Sequence, residues 1–125
     1  MHENPNKERA AEFLKLISSG KVDEAYDQFV SLTGKHHSPH FAAGFGTLRE
    51  AMKENYRLFP KKQSSIKHVV GEGDMVAIHS HVVLKPGDLG FAILHLFRFE
   101  NGSIIELWDF TQPVLEESPN TDGIF

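Results

Sequence analysis

An α+β fold is predicted by three observations. Apolar residues recur at helical spacing through the first half of the chain, and from Gln63 onwards the period changes to two. The period-two segments follow one another through short turns, so they pair as an antiparallel meander with the helices segregated from the sheet. At 125 residues the chain is expected to form one domain over 1–125, large enough to bury a core without a staple.

The first helix opens at Asn4-Pro5, a capping residue followed by a proline whose missing N–H costs nothing in the first turn. Ala10, Phe13, Leu14 and Ile17 form its buried stripe, and Gly20 stops it. Val22, Ala25, Tyr26, Phe29 and Val30 form the stripe of a second, short helix, so the helical region runs to about residue 32. Lys35 to Phe41 follows neither period and leaves room for one short strand; Ala42 to Gly46 reads as a loop. Thr47 and Glu50 stand in capping-box relation and open a third helix at about 47–59, with Leu48, Met52, Tyr56 and Phe59 on its buried face and Pro60 at its end.

Four strands are expected in the sheet, at about 63–112. Ile66, His68 and Val70 alternate in the first, which turns at Gly71 to Asp74. Met75 to Leu84 and Phe91 to Phe99 are the second and third. Asn101-Gly102, a strong hairpin signal, leads into Ile104 to Thr111, and residues 113–125 read as a tail. A twisted sheet of this size can curl around the third helix, leaving a hollow between them.

Composition excludes several functions. Thirteen Lys and Arg against 17 Asp and Glu give a net charge of −4, with no basic run, so neither nucleic acid nor an anionic membrane is an expected partner. The absence of cysteine removes disulfides, thiolate metal sites and a cysteine nucleophile, and fits a reducing cytoplasm. Met1 to Arg9 is too polar for a secretory signal. Gly44-Phe45-Gly46 lacks the context of a phosphate loop, and no nucleophile elbow is visible. Ten Phe and eight His remain as excesses, with six of the histidines in two clusters, 36/37/40 and 79/81/95.

His37-Ser38-Pro39, followed by a Gly-rich loop and a helix, is similar to the His-Asn-Pro segment of SnoaL-like proteins. Phe97-Arg98-Phe99-Glu100-Asn101-Gly102-Ser103-Ile104-Ile105-Glu106-Leu107-Trp108-Asp109 resembles that family's Phe-Arg…Asn-Gly-Lys-Ile…Glu-His-Trp-Asp signature. Gln112-Pro113 and Asn120 to Phe125 also look like it. The family sits in the wider group of nuclear transport factor 2, ketosteroid isomerase and scytalone dehydratase. The resemblance therefore implies a cone-shaped, cystatin-like α+β barrel whose curved antiparallel sheet wraps helices around an apolar pocket, and usually a dimer. Enzymes of the family include polyketide cyclases that run aldol chemistry without metal or cofactor, and the aspartate matching Asp109 serves them as acid/base. Two positions depart from the pattern: Leu107 stands where the signature has His, and His95 stands near an acidic position.

Strand parity then selects a site. Asp109 shares a face with Ile105, Leu107 and Thr111, the other face carrying Ile104, Glu106, Trp108 and Phe110; the resemblance turns Asp109 inward. A carboxylate desolvated among apolar groups suits a general base. Proton abstraction beside a carbonyl also needs a donor for the enolate oxygen, and His37, His81 and His95 are the candidates. His79 shares a face with His81, and two of His79, His81 and His95 are expected to face the pocket. Phe41, Phe45, Phe59, Leu107 and Phe97 are expected to line it, and His36 and His40 to face solvent. His79-x-His81 with His95 could offer three zinc ligands, but any i, i+2 pair in a strand shares a face and no carboxylate sits at a ligand offset. Neither metal nor cofactor is expected.

The expected function is acid/base chemistry of the aldol, isomerase or dehydratase type on a small apolar, carbonyl-containing ligand. The alternative is a non-catalytic ligand-binding or dimerisation module. A homodimer through the sheet follows from the second and third strands, which are apolar on both faces.

Overall fold

The computed structural model describes residues 4–125, so His2 lies outside it. Its elements are α1 (Pro5–Ser18), α2 (Val22–Phe29), β1 (Val30–His36), α3 (Phe45–Leu58), β2 (Gln63–Glu72), β3 (Met75–Val83), β4 (Phe91–Glu100) and β5 (Ser103–Pro113). Asn4 caps α1 as expected, its side-chain oxygen accepting the Asn6 N–H at 3.0 Å, with Pro5 in the first turn. Asn101 and Gly102 both take positive φ, 51° and 81°, as a tight two-residue hairpin between β4 and β5 requires.

The sheet has five strands, not four, in the order β1-β5-β4-β3-β2. The added strand is β1, which pairs in parallel with β5, Val30 lying opposite Ile104 and His36 opposite Leu107. Its partner is some seventy residues away, so no local hairpin pattern announces it, and Val30 starts this strand instead of closing the α2 stripe. Gly34 permits the close approach, because a Cβ there would run into the Ile105 carbonyl oxygen. Helix α3 also differs: it begins at Phe45, after Gly44 at φ 97°, without a side-chain cap. Phe45 is fully buried and anchors the first turn, so Thr47 and Glu50 lie within the helix and form no capping box.

Two register shifts reset the expected faces. One between Ile66 and His68 turns both Ile66 and Val69 towards the helices and sends His68 and Val70 outward. The other, between Arg98 and Phe99, puts Phe99 opposite Ile104 and Arg98 opposite Glu106. Ile104 therefore joins the core with Leu107, while Glu106, Trp108 and Phe110 keep the outer face.

The inner face of the sheet divides along its length. Val76 and Ile78 on β3, Phe97 and Phe99 on β4 and Ile104 on β5 are sealed against Phe13, Tyr26 and the rest of the helical core. Phe13 meets Tyr26 and Phe97 edge to face at 5.5 and 6.0 Å. That end is plugged. Towards the other end of the same strands the rows pass into an open hollow. The outer face is apolar, with Leu94, Phe110 and Val70 exposed. It is partly overlaid by the chain's own tail: Phe125 lies on His79 and His81, at ring separations of 5.6 and 4.5 Å.

Candidate active site

The hollow encloses about 230 Å³ between α1, α3 and the inner face of the sheet. Strand register arranges its sheet wall in rungs. The deepest rung sets Asp109 opposite His95, with Ile78 beyond. The next carries Thr111, Ile93 and Ser80, and the third Phe91, Val82 and Ser64. Successive rungs are two residues apart, roughly 7 Å along the strands. Phe13, Leu14, Ile17, Tyr26, Leu48 and Met52 make most of the helical wall, so the body of the cavity is mainly apolar.

Three polar groups at the deep end have no protein partner. The Asp109 carboxylate makes no hydrogen bond among the described residues. The His95 Nδ1 and the Ser80 Oγ are both sealed from solvent and unpartnered, and Ser80 is 1% exposed. Such groups ordinarily find partners, since an unmet buried donor or acceptor costs about 1–3 kcal/mol. Burial pushes the His95 pKa down to about 4, an effect that the Asp109 charge partly opposes. The imidazole is therefore neutral at pH 7, with one ring N–H to donate. Tyr26 lines the same cavity, and burial raises its pKa, keeping the phenol protonated.

Of the residues expected at the site, the structure brings together Asp109, His95, Leu107 and Phe41. The others lie elsewhere. Phe45 and Phe97 are fully buried in the core rather than at the cavity wall, because they belong to the plugged end. Phe59 stands outside the lining, with the Lys85 ammonium 5.9 Å from its ring centroid.

His79 and His81 take the outer face, since their neighbours Ile78, Ser80 and Val82 take the inner one. His79 Nδ1 lies 3.1 Å from His68 Nδ1, and His81 Nε2 donates to the Leu89 carbonyl at 2.8 Å. Of His79, His81 and His95, one faces the pocket where two were expected. Sheet parity also separates His95 from this pair, and no group of three potential metal ligands occurs among the described residues.

His37 is outside the hollow as well. It stacks on Trp108 at 5.0 Å and reaches the Glu106 carboxylate at 2.6 Å. Glu106 also accepts from Arg98 at 2.7 Å, and the two partners hold its carboxyl below the usual carboxylate range. His36, expected in solvent, is instead buried: its Nδ1 accepts the Ser38 N–H at 3.1 Å and its Nε2 donates to the Ala42 carbonyl at 2.8 Å. These bonds fold the loop that places Ser38, His40 and Phe41 on the rim of the cavity.

Ser80, Tyr26, Asn55 and Lys62 are cavity residues that the sequence analysis missed. Parity could have found Ser80, a polar residue on an otherwise apolar face of β3. Nothing in a helical stripe distinguishes Tyr26 from packing.

A profile of the SnoaL-like polyketide cyclases matches residues 8–114. No curated protein matches the chain by sequence. Among solved structures, IdmH of Streptomyces antibioticus, provisionally assigned as a polyketide cyclase, is 16% identical with a TM-score of 0.73, over 87% of this chain and 93% of that one. AclR of Streptomyces galilaeus, provisionally assigned as a hydroxylase, is 18% identical with a TM-score of 0.73, over 86% and 89%. A SnoaL-like protein of unknown function from Burkholderia thailandensis is 14% identical with a TM-score of 0.73, over 90% and 99%. At these identities the neighbours share the fold, and their assigned activities differ.

Proposed function

The chain belongs to the SnoaL-like polyketide cyclase family, and from that premise we propose that it catalyses cofactor-free acid/base chemistry on a small apolar carbonyl compound, with Asp109 as the base. The observation that carries this reading is the deep rung itself. A carboxylate free of protein partners stands opposite a neutral imidazole, with an unsatisfied hydroxyl one rung away, at the end of an apolar cavity. Asp109 removes a proton α to the ligand carbonyl. The developing enolate oxygen accepts from the His95 N–H and the Ser80 hydroxyl. A neutral imidazole suits this task, because its N–H donates to the developing charge without a positive charge that would pair with Asp109 and weaken it as a base. The enolate then attacks an internal carbonyl, as a cyclase requires, or is reprotonated at another carbon, as an isomerase requires. Asp109, protonated in the first step, supplies that proton.

The test uses a neutral aromatic ketone, 2-acetylnaphthalene, in deuterated water, with exchange of its methyl protons followed by NMR. The wild type is expected to accelerate exchange, and Asp109→Asn, folded by circular dichroism, to abolish the acceleration. Full exchange in that variant would remove Asp109 from the mechanism.

A homodimer through the outer sheet face belongs to the same proposal. Leu94, Leu96, Trp108 and Phe110 form an apolar surface there beyond the part that Phe125 overlies. A twofold partner presenting the same face would cover it.

A further inference from the structure

The cavity has a second polar end. Lys62, just past α3, is the one lysine or arginine that lines it among the described residues. Its ammonium donates to the Asn55 side-chain oxygen at 2.8 Å and has no carboxylate within 4.0 Å among the described residues. Arg49 pairs with Asp23 and Asp27, Lys53 with Asp23, and Arg57 with Glu54. Arg49 and Lys53 turn to the carboxylates of α2 and Arg57 to solvent, whereas Lys62 and Asn55 line the hollow. Burial lowers the Lys62 pKa, the mark of a cation with its hydration reduced and no counter-charge supplied.

Lys62 precedes Ser64, which is on the third rung, two rungs from Asp109. The cation therefore stands roughly 14 Å or more along the sheet from the base at backbone level, less the reach of its own side chain. Between them the wall is Val82, Phe91, Ile93, Leu48 and Met52.

We propose that the ligand is an elongated apolar acid, its ionised carboxylate held at the mouth by Lys62 and Asn55 and its carbonyl placed on the deep rung beside Asp109. The inference rests on the reading of the deep rung given above and adds the class of substrate. An anion at the mouth would complete the coordination of an ammonium that now has an amide oxygen alone, and would keep its charge distant from Asp109. The Asn55 amide N–H group is free to donate to the same carboxylate. A neutral ester of the same shape would leave the ammonium partly desolvated and unpaired, so the site would discriminate by charge.

The test compares 6-acetyl-2-naphthoate with its methyl ester. Binding to the whole protein is measured at pH 7 by calorimetry, and methyl-proton exchange is followed on the same two compounds. The wild type is expected to bind the acid about tenfold more tightly, the equivalent of one charge-assisted hydrogen bond. Lys62→Met, checked for folding by circular dichroism, is expected to lose that preference while binding the ester as before. Asp109→Asn is expected to keep the preference and lose exchange. Equal binding of acid and ester by the wild type, or a preference that survives Lys62→Met, would overturn the role of Lys62. Preference without exchange would leave this role standing and sink the acid/base reading. Failure to bind either compound would overturn both.

Discussion

Replacing Ser80 with Ala should make the protein more stable and less able to stabilise an enolate. The hydroxyl is sealed between β3 and the cavity with no partner. Leaving such a group unmet costs about 1–3 kcal/mol. Removing one oxygen atom enlarges the adjoining space by roughly 15–20 Å³, a loss of about 0.4 kcal/mol at ~24 cal/mol per Å³. The balance favours Ala by about 1 kcal/mol. With an unfolding entropy near 2.1 cal/mol/K per residue over 125 residues, or about 0.26 kcal/mol/K in all, Tm should rise by about 4 °C. Scanning calorimetry and urea unfolding of the two proteins measure this directly, and methyl-proton exchange on 2-acetylnaphthalene should slow by about 100-fold, as when one oxyanion donor is removed. A Ser80→Ala protein destabilised by 1 kcal/mol or more would show that the hydroxyl is satisfied in the resting protein. Unchanged exchange would show that it faces no reacting oxygen.

Two further predictions concern pH and assembly. His95 has a folded-state pKa near 4 against 6.5 in the unfolded chain, so the unfolded state binds more protons between those values. The contribution is fully present above pH 6.5 and is lost as pH falls towards 4, up to about 3 kcal/mol; His95→Phe should flatten this limb in urea midpoints collected from pH 4 to 7, and an unchanged slope would show that His95 is not buried neutral. Light scattering after size exclusion should give twice the 14.1 kDa chain mass, and Leu94→Glu should give monomer or aggregate; a stable wild-type monomer at micromolar concentration would sink the sheet-face dimer.

Much of the architecture is legible in the sequence, because it depends on local signals. Asn4-Pro5 caps α1, Asn101-Gly102 turns β4 into β5, and the change of period at Gln63 separates helices from sheet. Each feature acts within a few residues, where side-chain spacing and backbone preference are sufficient. Alternation groups Asp109 with Leu107 and His95 with Phe97, but the inward turn of Asp109 is what the family resemblance implies, and its place opposite His95 depends on the register of β4 and β5.

Tertiary structure decided the rest. Strand β1 exists because Val30 to His36 finds β5 some seventy residues later and because Gly34 allows the approach; its own sequence shows no clear period. The bulges beside Lys67 and Ile105 change which residues face inward, and a single extra residue in a ladder reverses every side chain beyond it. The histidines show the consequence most plainly. Identical residue types at 79, 81 and 95 were sorted by parity, two onto the outer face and one into the cavity, while His36 was drawn into the loop it now braces. Lys62 acquired its meaning last: a lysine after a proline turn is unremarkable in sequence, and only the packing of α3 over the sheet removes its water and counter-charge and aims it at the same hollow as Asp109.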